Sequence, residues 1–255
     1  MNRGTIKIFE FSRDYNSEIY AFGHRIGAPE IQEHQYVKAL TNESFFERAD
    51  VEEHVESAQP GADVGTEHNS ELVKQGSQKL SAWLKRYLRF HLTSAPEELI
   101  EAVEEHLLAD ECLAEIAKHI GVDNLVRTKE FPVSQHSCAN AFRALAGVFS
   151  EEKVKNVVID FVVPQLVDID FSEIYPLANP MDVLTDLLKA EGVTEIEPRL
   201  LRSAGVNSAE PIYVAAIYTD KQKNVGQSAG ESLTIAVDMA AREALLRLWN
   251  ITSDR

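Results

Sequence analysis

Apolar positions recur with the spacing of packed helices from Asp14 to Ile169. A polar, acidic stretch from Asn42 to Ser70 interrupts this pattern and predicts a long loop, because it contains a proline and two glycines. Near the end of the region, apolar side chains at i, i+3 and i+4 predict one packed helix. That helix would carry Val154, Val157, Val158, Phe161 and Val162, with Gln165 after them.

The last part of the chain has a different pattern. Asn179 as an N-cap, Pro180 at the first helical position and Gly192 after the last turn predict a short helix. Extended runs then alternate with turn residues, and a final helix begins at about Ser232. The strands are predicted at 197–202, at 211–219 and, after a turn, in a short segment ending near Gly226.

These elements predict an α+β chain in which an all-α domain precedes an α-β-β-β-α domain. We place the boundaries at 1–13 for an N-terminal extension, 14–175 for the first domain and 176–255 for the second. The extension has neither a signal-peptide core nor an Arg- and Ser-rich presequence. We therefore expect either no import signal or a sequence that begins after one.

Composition narrows the kind of partner. The 255 residues carry a formal net charge of −16, which argues against a free-standing, non-specific RNA binder because such proteins need clustered Lys and Arg. No apolar run reaches the length of a membrane-spanning helix, so we expect none. Cys112 and Cys138 are expected to be buried free thiols, and we expect no metal and no cofactor. Histidines such as His24, His119 and His136 show no ligand spacing.

Three segments in order resemble the ribonuclease III family. Residues 69–80 read N-S-E-L-V-K-Q-G-S-Q-K-L and resemble the family's signature helix, N-E-R-L-E-F-L-G-D-A-V-L. Residues 139–147, A-N-A-F-R-A-L-A-G, resemble A-D-A-F-E-A-L-I-G, and residues 39–45 are similar to the earlier element A-F-T-H-K-S-Y. A glycine inside the signature helix, Gly76, costs about 1 kcal/mol relative to alanine and therefore predicts close backbone packing.

The resemblance implies a nuclease fold without its chemistry. Members of the family hydrolyse RNA with Mg²⁺ held by four carboxylates, because hard cations prefer oxygen ligands. The corresponding positions here are Val73, Ser77, Asn140 and Arg143, none of which is acidic. Arg143 would repel a divalent ion. We therefore predict a protein that is not an enzyme; an active ribonuclease would need metal ligands elsewhere.

The second domain resembles the double-stranded-RNA-binding domain. Residues 230–241, G-E-S-L-T-I-A-V-D-M-A-A, are similar to the element G-x-S-K-K-x-A-K-x-x-A-A, whose lysines bind phosphates. Leu233, Thr234 and Val237 occupy the lysine positions. Only Thr185 and Asp186, on the first helix, still resemble a groove-facing edge. Eleven acids and eight bases lie between Asn179 and Arg255, which favours protein docking or a few rRNA contacts.

Nearly the whole chain is similar to the family of the mitochondrial large-subunit ribosomal protein numbered forty-four. The resemblance implies a structural role in the large ribosomal subunit in the mitochondrial matrix, with rRNA and neighbouring ribosomal proteins as partners. A second ribonuclease III-like chain is a further expected partner, because such domains normally dimerise. The alternative is an inactive subunit of a mitochondrial RNA-processing complex. The segments that carry the resemblance are 20–25, 130–133, 179–181, 197–200 and 230–233.

One positive stretch suggests where a partner binds. Basic side chains on the signature helix and on the second motif predict a valley with inverted charge that holds rRNA phosphate or an acidic protein. The alternative is a solvated helix face. The valley candidates are Lys74, Lys79, Lys85, Arg86, Arg89 and Arg143, and the candidates in the second domain are Thr185, Asp186, Arg199 and Arg202.

Overall fold

The computed structural model describes residues 15–47, 67–220 and 222–251. The chain divides into two compact units, one from Met1–Arg86 and Val103–Ile169, the other from Tyr87–Ala102 and Asp170–Arg255. The part of the acidic stretch at 48–66 lies outside the described residues, whereas Glu43–Glu47 forms a 3-10 helix. Within the described ranges, no helix combines the length and the apolar character needed to cross a membrane.

The first unit is helical, as predicted. Ser134 and Ser150 cap two of its helices by accepting hydrogen bonds from backbone N–H groups three residues later. Its core is built from large aliphatic and aromatic side chains that are almost fully buried, including Phe22, Leu80 and Leu145. The helices that carry residues of this unit are α1 (15–25), α2 (Glu33–Leu40), α3 (Ser70–His91), α4 (Glu97–Leu107), α5 (Asp110–His119), α6 (Gln135–Val148) and α7 (Glu151–Val157).

The segment through Val154 and Gln165, predicted as one packed helix, is helical throughout but is α-helical only in its first part. Helix α7 ends at Val157, a π-helical turn spans Val158–Val162, and a 3-10 helix follows at Val163–Asp168. Pro164 explains the change, because its ring lacks an N–H donor and clashes with the carbonyl group four residues earlier in an α-helix. The apolar side chains at positions 154, 157, 158 and 162 are nevertheless buried.

The second unit contains the predicted α-β-β-β-α order. A short helix, α8 (Phe171–Ile174), precedes α9 (Pro180–Ala190), strands β1 (Ile196–Ala204), β2 (Ile212–Thr219) and β3 (Asn224–Gly230), and the final helix α10 (Leu233–Leu248). The strands form one antiparallel sheet in the order β1-β2-β3. Ala215 and Ile217 of the central strand are fully buried, as are Leu184 of α9 and Ala240 of α10.

Two details of this unit correct the sequence-based predictions. Strand β3 continues to Gly230 instead of ending near Gly226. A Cβ atom on Gly226 would lie less than 3.0 Å from the Ala240 carbonyl oxygen, so this glycine permits close packing of α10 on the strand and does not end it. Asn179 precedes α9, but its side chain makes no capping hydrogen bond. Gly192 has φ +88°, as a C-terminal glycine requires.

Candidate functional site

The three ribonuclease III-like segments meet in the first unit. Asn69, which is 3% exposed, donates its side-chain amide to the carbonyl oxygen of Ala39 at 3.2 Å. Its backbone N–H donates to the carbonyl oxygen of Thr41 at 3.0 Å. The buried asparagine at the start of α3 therefore joins the earliest segment to the signature helix.

Helices α3 and α6 cross at two glycines. A Cβ atom on Gly76 would lie less than 3.0 Å from the carbonyl oxygen of Arg143, and one on Gly147 would lie less than 3.0 Å from that of Leu72. The two helix backbones therefore touch, which no larger residue at these positions would permit without a shift of one helix. The close packing predicted from Gly76 is confirmed, and Gly147 is its counterpart on the second helix.

The four positions predicted to correspond to metal ligands flank this crossing. Val73 and Ser77 lie on α3 beside Leu72 and Gly76, and the Ser77 hydroxyl donates to the Val73 carbonyl oxygen at 2.8 Å. Asn140 and Arg143 lie on α6. All four side chains are neither fully buried nor fully exposed. The crossing thus brings the two ribonuclease III-like motifs together.

Arg143 is turned into the protein. Its guanidinium donates to the Asp110 carboxylate at 2.6 Å, to the Asn140 side-chain oxygen at 3.0 Å and to the Leu108 carbonyl oxygen at 2.8 Å. Only 15% of the side chain is exposed. Since Leu108 directly follows α4 and Asp110 is the first residue of α5, Arg143 ties α6 to the turn between these two helices.

His136 completes a closed ring of side chains. Its Nδ1 lies 2.6 Å from the Asp110 carboxylate, and its Nε2 lies 2.9 Å from the Asn140 amide nitrogen. Because Asn140 accepts from Arg143 through its oxygen, its nitrogen must donate to His136, which assigns the imidazole proton to Nδ1. Asp110, His136, Asn140 and Arg143 are therefore linked in a cycle, named here the Arg143 ring.

The Arg143 ring sets the ionisation of its carboxylate. Partial burial alone would raise the pKa of Asp110, but hydrogen bonds from His136 and Arg143, together with the positive charge of Arg143, outweigh burial and lower it. Asp110 therefore stays charged and paired. Among the residues that the structure describes, no three His, Cys, Asp or Glu side chains are grouped so that they could hold a metal ion.

Most of the predicted valley cations have partners inside the protein. Lys79 donates to the carbonyl oxygens of Gly147 and Phe149, both at 2.8 Å, and so caps the C-terminus of α6. Lys85 pairs with Glu104 at 3.0 Å. Two further candidates also have intramolecular contacts: Arg86 lies over the Trp83 ring and, in the second unit, Arg89 pairs with Glu97.

Lys74 lies on the side of α3 that faces away from α6, the helix that carries Arg143. Gly76 faces the α6 backbone, and Lys74, two residues earlier, lies about 200° around the helix from it. Lys74 is exposed, whereas Arg143 points towards the turn before α5. The structure thus does not gather these cations into one valley beside the crossing, because helical spacing and internal pairing separate them.

The candidates in the second unit are also only partly available. Arg199 pairs with Glu197 at 2.6 Å and lies over the Tyr218 ring. The Thr185 hydroxyl donates to the Met181 carbonyl oxygen of its own helix at 2.7 Å, whereas Asp186 and Arg202 are exposed. At the positions that correspond to phosphate-binding lysines, Leu233 and Thr234 are exposed and Val237 is half-buried.

The sequence analysis missed Asp110 and His136. One signal was available for His136, because positions 136, 140 and 143 have the i, i+4, i+7 spacing of one helical face. Nothing in the sequence connects Asp110 to that face. The cysteines are free, and burial raises the pKa of both thiols, but Cys112 is only half-buried.

A groove of about 390 Å³ lies elsewhere in the first unit, and none of the four mapped metal positions lines it. It carries mixed charge, since Lys38 pairs with Glu67 at 3.4 Å. Arg127, also in its lining, lies over the Phe45 ring. The remaining lining residues are Asn16, Glu33, His34, Val37, Thr41 and Phe46.

Comparison with known proteins agrees with both units. A family model described as "Large ribosomal subunit protein mL44, endonuclease domain" matches residues 14–149. A second model, "MRPL44 dsRNA-binding domain", matches residues 175–255. The fold is therefore α+β, with a ribonuclease III-like helical part followed by a part of the double-stranded-RNA-binding type.

A curated relative identifies the family more closely. Large ribosomal subunit protein mL44 of Caenorhabditis elegans is 80% identical over 242 residues, which are 95% of this chain and 61% of the relative. The chain belongs to the family of large ribosomal subunit protein mL44. It spans 61% of the length of that relative, whose name is that of a ribosomal protein and not of an enzyme.

One solved structure has a weaker similarity. Dicer from Pichia stipitis is 15% identical, covers 70% of this chain and 86% of its own, and superposes with a TM-score of 0.36. A similarity at this level carries no argument about function. The assignment of the family therefore depends on the two family models and on the relative from Caenorhabditis elegans.

Proposed function

We propose that the chain is a structural constituent of the large subunit of the mitochondrial ribosome, in the mitochondrial matrix, where it supports assembly and translation. The observation that carries this proposal is the 80% identity to large ribosomal subunit protein mL44 over 95% of the chain. The proposed division into 1–13, 14–175 and 176–255 remains a prediction.

The first domain in this proposal is a scaffold without nuclease chemistry. Residues 73, 77, 140 and 143, at the positions of the four metal-binding carboxylates, offer no acidic oxygen for Mg²⁺. A carboxylate beside them, that of Asp110, is engaged by Arg143 and His136. These residues do not fit the Mg²⁺ that ribonuclease III enzymes use, since the guanidinium of Arg143 already supplies the positive charge next to the Asp110 carboxylate.

The partners in this proposal are large-subunit rRNA and neighbouring mitochondrial ribosomal proteins, together with a second ribonuclease III-like chain. An rRNA contact would be made through exposed bases instead of those that act as internal caps. Lys74, Arg86 and Arg202 are exposed and are the remaining candidates. We do not expect Lys79 and Arg143 to contact rRNA, because each side chain donates hydrogen bonds to backbone carbonyl oxygens within the protein.

Sedimentation tests the proposal directly. The tagged chain, expressed in cells of its source, should co-sediment with large ribosomal subunits and remain bound after a high-salt wash. Sedimentation only in lighter fractions with RNA-processing factors would overturn the ribosomal assignment and favour the alternative.

Charge-reversal variants test the rRNA contacts separately. A double variant Lys74→Glu, Arg86→Glu should be lost from the subunits on the salt wash, because phosphate contacts are sensitive to salt. The matched control Lys118→Glu, Lys155→Glu reverses two exposed bases that are not among the candidates, and it should remain bound. Equal retention of both variants would remove Lys74 and Arg86 from the proposal.

A further inference from the structure

The last helix is apolar on two sides. Ala236, Ala240 and Ala244 of α10 are fully buried against the rest of the second unit. About 120° around the helix from these alanines, Ile235 and Met239 are 47% and 42% exposed and lie one turn apart. A contiguous exposed apolar patch on a protein surface marks a contact with another molecule. Helix α10 therefore presents a second face that the unit itself does not cover.

This face continues onto one end of the sheet. Ala204 pairs with Ile212, and Tyr213 pairs with Gly230, so the end of β1, the start of β2 and the end of β3 lie together. A Cβ atom on Gly230 would lie 2.9 Å from the Ile235 side chain, which places the start of α10 at the same end. The exposed side chains there are Val206, Ile212, Leu233, Ile235 and Met239, named here the apolar end.

Charge at this end has one sign. Residues 203–212 and 228–241 contain Glu210, Glu231 and Asp238 but no Lys, Arg or His. The flanking bases are Arg202 and Arg242, and Arg242 donates to the Leu177 carbonyl oxygen at 2.9 Å. An apolar surface with three carboxylates repels a polyanion and offers few donors to phosphate, whereas it attracts a cationic partner that has apolar side chains of its own.

We propose that the apolar end binds a cationic amphipathic helix of a neighbouring protein, with the helix's apolar side chains against Ile235 and Met239 and its bases beside Glu210 and Glu231. This deepens the proposed function, on which it rests, by assigning the second domain a protein partner at this surface instead of RNA. Apolar anchors in the centre with charges at the rim are the usual arrangement of such contacts.

The test uses the purified full-length chain and a fluorescent peptide of leucine and lysine with leucines on one helical face. The net charge of −16 attracts such a peptide to other surfaces as well, so the informative quantity is the change caused by substitutions at the apolar end. The variant Ile235→Gln, Met239→Gln should weaken binding by at least about tenfold. Glu210→Gln, Glu231→Gln should weaken it by about threefold and reduce its salt dependence.

The matched control is Ile159→Gln, which replaces an aliphatic side chain of the first unit that is 38% exposed. It should change binding by less than about twofold, because exposed sites outside a contact contribute little. Circular dichroism spectra should show that all variants keep the fold. Three results would overturn the proposal: equal peptide binding by the Ile235→Gln, Met239→Gln variant and the unsubstituted chain, equal binding of a leucine–glutamate peptide, or loss of duplex-RNA binding in that variant.

A fourth result concerns self-association. If the unsubstituted chain forms a dimer that the Ile235→Gln, Met239→Gln variant does not form, the occupant is a second copy and the proposal is wrong. None of these assays contains ribosomes, so their outcome is separate from co-sedimentation. A chain that co-sediments but fails the peptide test keeps its proposed function and loses this inference.

Discussion

The helix crossing of the first unit and the apolar end of the second differ in whether their side chains find partners within the protein. At the crossing, the Arg143 ring lets the polar side chains satisfy one another. At the apolar end, Leu233, Ile235 and Met239 leave more than two fifths of each side chain exposed. The first surface has closed on itself, and the second still lacks a partner within its own unit.

This difference separates a site that serves the fold from a surface that is available for association. A closed hydrogen-bonded ring stabilises the fold and contributes nothing to outside contacts, so changes there should affect stability. An exposed apolar surface costs the isolated chain little when changed, so changes there should affect association. The predictions below test this separation from the largest expected effect on stability to the smallest.

Gly76→Ala should have the largest effect. The new Cβ atom would overlap the Arg143 carbonyl oxygen, so α3 and α6 must move apart, at a cost of about 3 kcal/mol or more in the free energy of unfolding. Urea unfolding followed by far-UV circular dichroism measures this cost. Gly192→Ala is the control, since nothing lies within 4 Å of its Cβ position and only its positive φ adds strain, about 1 kcal/mol. Equal losses in the free energy of unfolding for both variants would contradict the close backbone contact of α3 with α6.

Arg143→Met should come next. It leaves the Leu108 carbonyl oxygen without its side-chain donor and the Asp110 carboxylate with only that of His136, and we expect a loss of about 2 kcal/mol. The same denaturation assay applies. Arg86→Met, which removes an exposed guanidinium lying over Trp83, should cost less than about 0.5 kcal/mol. If Arg143→Met leaves the free energy of unfolding unchanged, the Arg143 ring does not stabilise the fold.

Acid should weaken the first unit through Asp110. The folded pKa of this carboxyl group is lower than its unfolded pKa, so its contribution is complete above the unfolded value and is lost as pH falls through the folded value. The urea concentration at the midpoint of unfolding of the unsubstituted chain should therefore decrease when the pH is lowered below about 4. Asp110→Asn should be less stable at neutral pH and lose less on acidification; an unchanged pH dependence would contradict this role.

Lys79→Met should have a smaller effect than Arg143→Met. It removes two hydrogen bonds to carbonyl oxygens at the end of α6, and we expect a loss of about 1 kcal/mol in thermal or urea unfolding. Lys74→Met is the matched control, because Lys74 is exposed on the other side of α3, and it should change stability by less than about 0.5 kcal/mol. If both variants behave alike, Lys79 is not a cap.

Ile235→Gln with Met239→Gln should have the smallest effect on stability. Both side chains are more than 40% exposed, so the free energy of unfolding should change by less than about 0.5 kcal/mol for each substitution. The same variant is expected to lose peptide binding, which distinguishes an association surface from a structural one. Destabilisation comparable to that of Arg143→Met would mean that these side chains support the fold itself.

The sequence was most informative where a single residue type has one physical meaning. The glycine inside the signature helix predicted close backbone packing, which the structure shows against α6, and Pro180 with Gly192 predicted α9. Gly226 was misread as a strand end, because a glycine that admits another backbone looks the same in the sequence as one that ends a strand.

The Arg143 ring could not be predicted in full. Asp110 and Arg143 are separated by 33 positions, and their pairing depends on how the turn between α4 and α5 lies against α6. The basic residues of α3 were grouped by sequence proximity, whereas the structure separates them by helical rotation and by internal acceptors such as the Gly147 carbonyl group. Pairing of this kind is set by tertiary structure and leaves no local pattern.

Cleavage of duplex RNA tests the central claim, a nuclease fold kept as a scaffold, most directly. The purified full-length chain would be incubated with a labelled RNA duplex in the presence of Mg²⁺, with EDTA as the control. The account predicts no cleavage above that of RNA without protein under either condition, because none of residues 73, 77, 140 and 143 is acidic and the guanidinium of Arg143 is paired with the Asp110 carboxylate. Mg²⁺-dependent cleavage that EDTA abolishes would contradict it.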